Sequence, residues 1–478
     1  MLQWLRRAFG VGDAEALYRE GEAHSLRGNH AAAESLFRRA LALDASRPHY
    51  HFALGCALQA AGRHDSAAES YRRALALDGR LVPAMINLGT ILQASGERGG
   101  ENASGRRDEA LGLFRAATEL APGATEGWIN LGFALERSRR LAESRQAYDR
   151  ALAIDPSLAD ARFNRSLVLL AQGDYPAGWE DYEARWQATG YPRPAFGGPE
   201  WDGRPLDGKT VFLYTEQGFG DAIQCARYLP LLEGRGGRAL LRCQPELERL
   251  FAGLHGLAGF VAPDAVPRFD FHCSLLSLPR LFGTTLETIP AQAPYLRADP
   301  ALVERWRERL RGRPAGLRVG LAWSSQSKMP DAAVKSMTLE ALAPLAAVAG
   351  TRFYSLQLGR AAEEAASGPV PMEDLTGEIR DFADTAALTQ CMDLVISVDT
   401  AVAHLAGALA RPVWTLLRYA PDWRWYPDEV KSRWYPTMRL YRQSSPGDWG
   451  AAVGTLVRDL DDAVGRGLGA APGATSST

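Results

Sequence analysis

Lysine is almost missing from this chain. Lys209, Lys328, Lys335 and Lys431 are its lysines among 54 basic residues, so arginine carries nearly all the positive charge. A lysine kept against that background is a candidate for a compact point charge that a planar guanidinium would not replace. Net charge is scarce too: 54 basic against 56 acidic residues leave −2, neither a basic field for nucleic acid nor the acidic excess of a disordered chain. The five cysteines, Cys56, Cys225, Cys243, Cys273 and Cys391, are odd in number and show no C-x-x-C spacing. They indicate neither a disulfide frame nor a zinc site, and a reducing compartment fits. No run approaches the ~20 apolar residues of a membrane span, and the opening M-L-Q-W-L-R-R-A-F-G puts two arginines where a secretory peptide has its apolar core. The expectation is a cytoplasmic chain with no transmembrane segment and no nucleic-acid partner. Its 478 residues suit roughly three domains or subdomains.

What the chain does have is an internal period. Gly21, Gly55 and Gly89 are 34 residues apart, as are Gly132 and Ser166. After each marker comes a second set of small and aromatic positions: Ala33, Phe37 and Ala40; Ala67, Tyr71 and Ala74; Ala110, Phe114 and Ala117; Ser144, Tyr148 and Ala151. A small residue lets two helices approach and the aromatic fills the gap between them. The pattern resembles the tetratricopeptide repeat. Five such repeats predict an all-α solenoid over residues 1–186, whose concave face would hold a protein or peptide partner. The alternative is an array serving only as a spacer or as the surface of a homo-oligomer. Residues 98–106 (R-G-G-E-N-A-S-G-R) read as a polar insertion looped out at a turn, and the fifth repeat, with Gly178 and Arg185 at alanine positions, reads as a cap. The Pro- and Gly-rich stretch 187–208 reads as a linker.

A different grammar follows. Asp393 to Leu417 reads as an apolar strand, then Asp399 and Thr400 at the start of an Ala/Leu-rich helix carrying His404, then Arg411-Pro412 and a second strand. That is a β-α-β unit, which makes a parallel sheet and gathers Asp399, Thr400 and His404 at the strand's carboxyl end, where such sheets bind ligands. The two polar residues are expected to cap the helix. Earlier, the strand Thr210 to Thr215 leads through Glu216, Gln217, Gly218, Phe219 and Gly220 to a helix bearing Asp221 and Gln224. The glycines allow close approach to a ligand, although the loop lacks the third glycine of a dinucleotide fingerprint and the G-K-[ST] of a P-loop. Two further polar loops end predicted strands, Ser324 to Lys328 and Gln357 to Gly359, and a third, Asp374 to Gly377 with Thr376, leads to a predicted helix. Lys335 and Ser336 are expected to precede an amphipathic helix. No D-x-D metal motif stands out. The aromatic run Trp423, Trp425, Tyr426, Trp434 and Tyr435 reads as core packing.

The segments G-F-G-D-A-I-Q, L-A-W-S-S with K-S-M, and D-T-A-V-A-H-L-A-G-A-L-A-R-P-V resemble the heptosyltransferases and their tetratricopeptide-fused relatives. The resemblance implies the GT-B fold, an α/β domain of two Rossmann-like lobes over residues 209–465: 209–290 as the first lobe and 301–465 as the donor-binding lobe. By the same resemblance Asp221 is the general base. Lys335 meets the donor diphosphate, Lys328 being a second match, and Asp399, Thr400 and His404 bind donor; Ser336 beside Lys335 and Ser324 after its strand are further donor-binding candidates, Ser324 with turn capping as its alternative. Glu216, Gln217, Gly218, Gly220, Gln224, Gln357, Asp374 and Thr376 line the neighbouring loops. The implied function is inverting, metal-independent glycosyl transfer, with no cofactor, from a nucleotide sugar to a hydroxyl, on a protein recruited by the repeats. The rivals are a non-catalytic repeat scaffold with a degenerate nucleotide-binding domain, and transfer to lipopolysaccharide or polysaccharide. Residues 466–478 read as a disordered tail.

Overall fold

The computed structural model describes residues 13–100, 102–190, 192–326 and 332–466. Lys328, the opening nine residues and the tail after Arg466 therefore lie outside the described residues. The chain forms two compact units that divide after Ala161.

The first unit is a series of antiparallel helix pairs: α1 (Ala14–Leu26) with α2 (His30–Leu43), α3 (Pro48–Ala60) with α4 (His64–Leu77), α5 (Val82–Glu97) with α6 (Ala103–Leu120), and α7 (Thr125–Arg137) with α8 (Leu141–Ile154). The marker glycines are where they are because an aromatic ring leaves no space beside them. A β-carbon at Gly21, Gly55, Gly89 or Gly132 would stand 2.5–2.7 Å from Phe37, Tyr71, Phe114 or Tyr148 respectively. Ala33, Ala67, Ala110 and Ala151 are completely buried between the helices. The insertion is not looped out as expected. Helices α5 and α6 are 16 and 18 residues long, against 13 and 14 in the preceding pair, so most of the extra residues lengthen the helices. The Arg107 guanidinium donates to the Gly96 carbonyl at 2.6 Å and ties the lengthened ends together, an interaction that composition alone does not announce.

The second unit opens within α9 (Ala159–Ala171), followed by α10 (Tyr175–Tyr182). Two parallel sheets follow. The first has four strands, β1 (Thr210–Tyr214), β2 (Arg238–Arg242), β3 (Leu257–Phe260) and β4 (Phe271–Ser274), in the order β3-β2-β1-β4. The second has six, β5 (Leu317–Ala322), β6 (Thr351–Ser355), β7 (Met372–Asp374), β8 (Leu394–Val398), β9 (Val413–Leu417) and β10 (Met438–Arg442), in the order β10-β9-β8-β5-β6-β7. The expected linker is partly structural. Trp201 N donates to the His272 carbonyl and His272 N to the Pro199 carbonyl, extending the first sheet beyond β4. Both sheets reverse their strand order at one point, between β1 and β4 in the first and between β5 and β8 in the second, which places the ends of those strands over crevices.

The core shows how the parts hold together. Leu213 and Ile223 from the first lobe, Leu405 and Trp425 from the second, and Tyr175 and Trp179 from α10 belong to one continuous buried cluster. A second cluster fills the far face of the larger sheet under the terminal helix, Gly450–Gly465. Thus α10 is packed as part of the α/β body. Arg185, the departure from the repeat pattern, explains itself here: it is buried, ion-paired at 2.8 Å to Glu216 beyond β1, and donates to Ser277 at 2.9 Å.

Candidate active site between the two lobes

Two short helices meet where the lobes face each other. Helix α11 (Phe219–Cys225) follows β1 and carries Asp221 and Gln224; α12 (Ala401–Ala408) follows β8 and carries His404. Their approach is so close that a β-carbon on Gly220 would lie 2.9 Å from His404 Cδ2 and 3.6 Å from the Ala401 Cα. By contrast Gly218 has room, a β-carbon there meeting the Asp221 Oδ2 at an ordinary 3.5 Å. Of the two loop glycines, only Gly220 is needed for the contact.

The side chains around that contact form one electrostatic cluster. Arg424, from the loop after β9, donates through Nη2 to Asp221 Oδ1, through Nε to Gln224 Oε1, and through Nη1 to Asp422 Oδ1 at 2.8 Å. Its guanidinium lies 4.5 Å from the centre of the Trp423 ring. Lys335 Nζ is 3.8 Å from Asp399 Oδ2, and His404 Nε2 is 3.9 Å from Asp399 Oδ1. His404 Nδ1 bonds the Tyr435 hydroxyl at 2.8 Å.

Burial sets the charges. His404 is pushed well below the usual imidazole value, first by burial and then by Arg424, so it is neutral at neutral pH and offers an N–H rather than a positive charge. Burial lifts Asp399 above the ordinary carboxylate range; Lys335 opposes the lift and Asp422 adds to it. For Asp422 burial again opposes ionisation, but Arg424 and Lys335 outweigh it and hold the carboxyl below its usual value. Arg424 stays charged because Asp422 and Asp221 overcome the cost of burying it.

The other expected residues divide into groups. Thr400 is the N-cap of α12, yet its hydroxyl pairs with Ser397 Oγ at 3.0 Å and no side chain caps the helix, contrary to the capping expected of Asp399 and Thr400. Lys335 closes a single helical turn, Ala332–Lys335, instead of preceding an α-helix; Leu339–Ala347 is a 3₁₀ segment containing Pro344. Ser336 Oγ accepts from Ser325 N at 2.8 Å and from Ser324 Oγ at 3.3 Å, while Gln357 Oε1 accepts from the backbone of Trp323 and Ser324. These residues shape the loop after β5. Glu216 is held by Arg185 and by Ser274 Oγ at 2.6 Å, and Gln217 reaches Tyr182 at 3.4 Å, so both tie the first sheet to α10 and the turn after it. Asp374 accepts from Thr376 N and Oγ1 in a local turn at the far edge of the larger sheet, with no bond to the cluster among the described residues. The aromatic run is core, as expected: Trp423, Trp425, Tyr426, Trp434 and Tyr435 are all buried. Arg424 and Asp422 were not foreseen; the signal was a charge inside that aromatic run, P-D-W-R-W. Among the described residues no group of three or more His, Cys, Asp or Glu side chains could hold a metal ion. No described helix is long and apolar enough to cross a membrane.

Comparison with known proteins agrees with this division. Residues 1–48, 48–81 and 103–159 match tetratricopeptide repeat models, and residues 359–451 match the model of glycosyltransferase family 9 (heptosyltransferase). The chain therefore carries an N-terminal tetratricopeptide array ahead of an α/β region, of which residues 359–451 are similar to glycosyltransferase family 9. That segment includes Asp399, Thr400, His404, Asp422 and Arg424 but not Asp221 or Lys335. Protein FlbA of Caulobacter vibrioides is 30% identical over 389 residues, covering 73% of this chain and 63% of FlbA, so the chain spans less than two thirds of that relative. A peroxisomal targeting signal receptor of Kluyveromyces lactis is 36% identical over 73 residues, 15% of this chain and 13% of the receptor. Among solved structures, Pseudomonas aeruginosa pilF is 24% identical and covers 37% of this chain and 76% of its own, with a TM-score of 0.32.

Proposed function

We propose that the chain transfers a sugar from a nucleotide-sugar donor to a hydroxyl acceptor on a protein recruited by its repeats. One observation supports this above the rest: Asp221, Lys335, Asp399, His404 and Arg424, from sequence segments far apart, meet in one cluster between two parallel sheets. In the proposed reaction the acceptor oxygen attacks the anomeric carbon, its proton passes to the Asp221 carboxylate, and the bond from that carbon to the diphosphate oxygen breaks. The leaving nucleoside diphosphate keeps the electron pair. Lys335, the uncapped amino end of α12 and the His404 N–H supply the positive side of its field. Single displacement inverts the anomeric centre, and chain cations in place of a metal make the transfer insensitive to chelators. A cytoplasmic location fits a nucleotide-sugar donor.

The direct test is nucleotide release from a panel of nucleotide sugars with the full-length protein. Asp221→Asn is expected to lower the rate by at least about 100-fold, the lower range for loss of a general base. A rate that persists in Asp221→Asn would remove the assignment, and one abolished by excess EDTA would remove metal independence. Label appearing in carbohydrate instead of protein would favour lipopolysaccharide or polysaccharide as acceptor. The tight contact of Gly220 with His404 is the observation that favours a silent scaffold, for which Lys335→Ala and His404→Ala would leave cellular phenotypes intact.

A further inference from the structure

All three nitrogens of the Arg424 guanidinium are engaged, and the engagement crosses the cleft. Asp221 and Gln224 come from the first lobe, whereas Asp422 and Arg424 itself come from the second. Arg424 and Gln224 are both buried, and the Arg424 side chain is 9% exposed. The same lobes touch through Gly220 and His404 with no space for an additional β-carbon.

A nucleoside diphosphate cannot enter between α11 and α12 unless they separate. Separation carries Asp221 and Gln224 away with the first lobe, so the motion that makes room for the ligand also strips two partners from Arg424. The ligand then brings two or more negative charges beside Asp221, Asp399 and Asp422, and that repulsion needs a cation. A guanidinium fork matches phosphate oxygens in a bidentate manner that an ammonium such as Lys335 does not.

We propose that Arg424 is an exchanged anion-binding residue: it holds the cleft closed through Asp221 and, when donor binds, passes to the diphosphate, releasing the Asp221 carboxylate toward the acceptor. This rests on the nucleotide-sugar reading and adds what the cleft does before the donor arrives. The closed lobes keep the base covered, and the donor's own charge uncovers it. An acceptor arriving first meets an occupied carboxylate. Donor therefore binds ahead of acceptor.

The test is titration calorimetry of the full-length protein with UDP, GDP and ADP. Asp221→Asn keeps the shape of the latch but removes its charge, so nucleoside diphosphate affinity is expected to tighten about 3- to 10-fold although transfer is lost. Arg424→Met is expected to weaken affinity at least about 10-fold, with Arg424→Lys between it and the wild type. In the double variant the tightening disappears. Unchanged or weaker affinity in Asp221→Asn, with Arg424 present, overturns the exchange while leaving the transfer reading intact, because wild type still binds diphosphate and releases nucleotide from sugar donors. If neither wild type nor any variant binds the three diphosphates, the transfer reading falls and takes the exchange with it. Asp221→Asn is nearly isosteric, so this arm holds even if the buried Arg424→Met fails to fold.

Discussion

His404 sits on α12 against the helix that carries Asp221, and burial decides its charge. His404 is neutral because its surroundings are buried and Arg424 is already positive, so protonating it costs stability. Its folded pKa lies below the unfolded value of 6.5; the stability it contributes is complete above that pH and is lost as pH falls toward the folded pKa. One such proton changes stability by up to ~1.4 kcal/mol per pH unit. His404→Gln, which cannot titrate, is expected to show a shallower loss of melting temperature between pH 7.5 and pH 5 than the wild type, the limits being roughly those of an imidazole's titration. Equal slopes would show that His404 does not control the acid response. The sequence made His404 visible through its spacing from Asp399 and Thr400. Arg424 stayed hidden because its partners are Asp221 and Gln224, about two hundred positions earlier, and nothing in P-D-W-R-W says that its charge crosses a cleft.

The helices α11 and α12 set the spacing of the site through a single absent side chain. Adding a methyl group at position 220 pushes against His404 Cδ2, whereas position 218 has negative φ and ordinary space. Gly220→Ala is expected to cost about 1–3 kcal/mol of stability, the usual range for overpacking. Gly218→Ala is expected to change it by less than about 0.5 kcal/mol, which denaturant midpoints would resolve. Equal effects would mean that the contact between the helices yields freely. At this scale the repeats and the β8-α12-β9 unit were legible, since helical period, small residues and Arg411-Pro412 are local signals. The short pieces were not. Pro344 removes a helical hydrogen bond, so an apolar stretch with helical spacing becomes a 3₁₀ segment. The three-residue β7 is too short to show alternation, and β10 sits next to an aromatic run that masks it.

Across the molecule, the proposed recruitment and the proposed chemistry fall on separate compact units, and that division of labour can be tested by separating them. A chain beginning at Pro156 keeps all of α9, α10 and the cluster. It is expected to bind nucleoside diphosphate within about 3-fold of the full-length affinity, less than 1 kcal/mol, while losing transfer to a protein acceptor. Loss of diphosphate binding as well would show that the repeats support the donor site. Arg185 had marked the transition in the sequence, a charge where the repeat wants alanine, although its partner Glu216 could be identified only from the fold. Tyr175 and Trp179 lodge among Trp423, Tyr426 and Trp434, with the Tyr426 hydroxyl donating to that of Tyr175 at 2.5 Å. Anyone grafting this transferase-like half onto another repeat array would have to cut upstream of that helix pair. The compact unit has its seam one repeat earlier than the proline-rich stretch suggests, and a splice at the prolines would leave a tryptophan-lined wound.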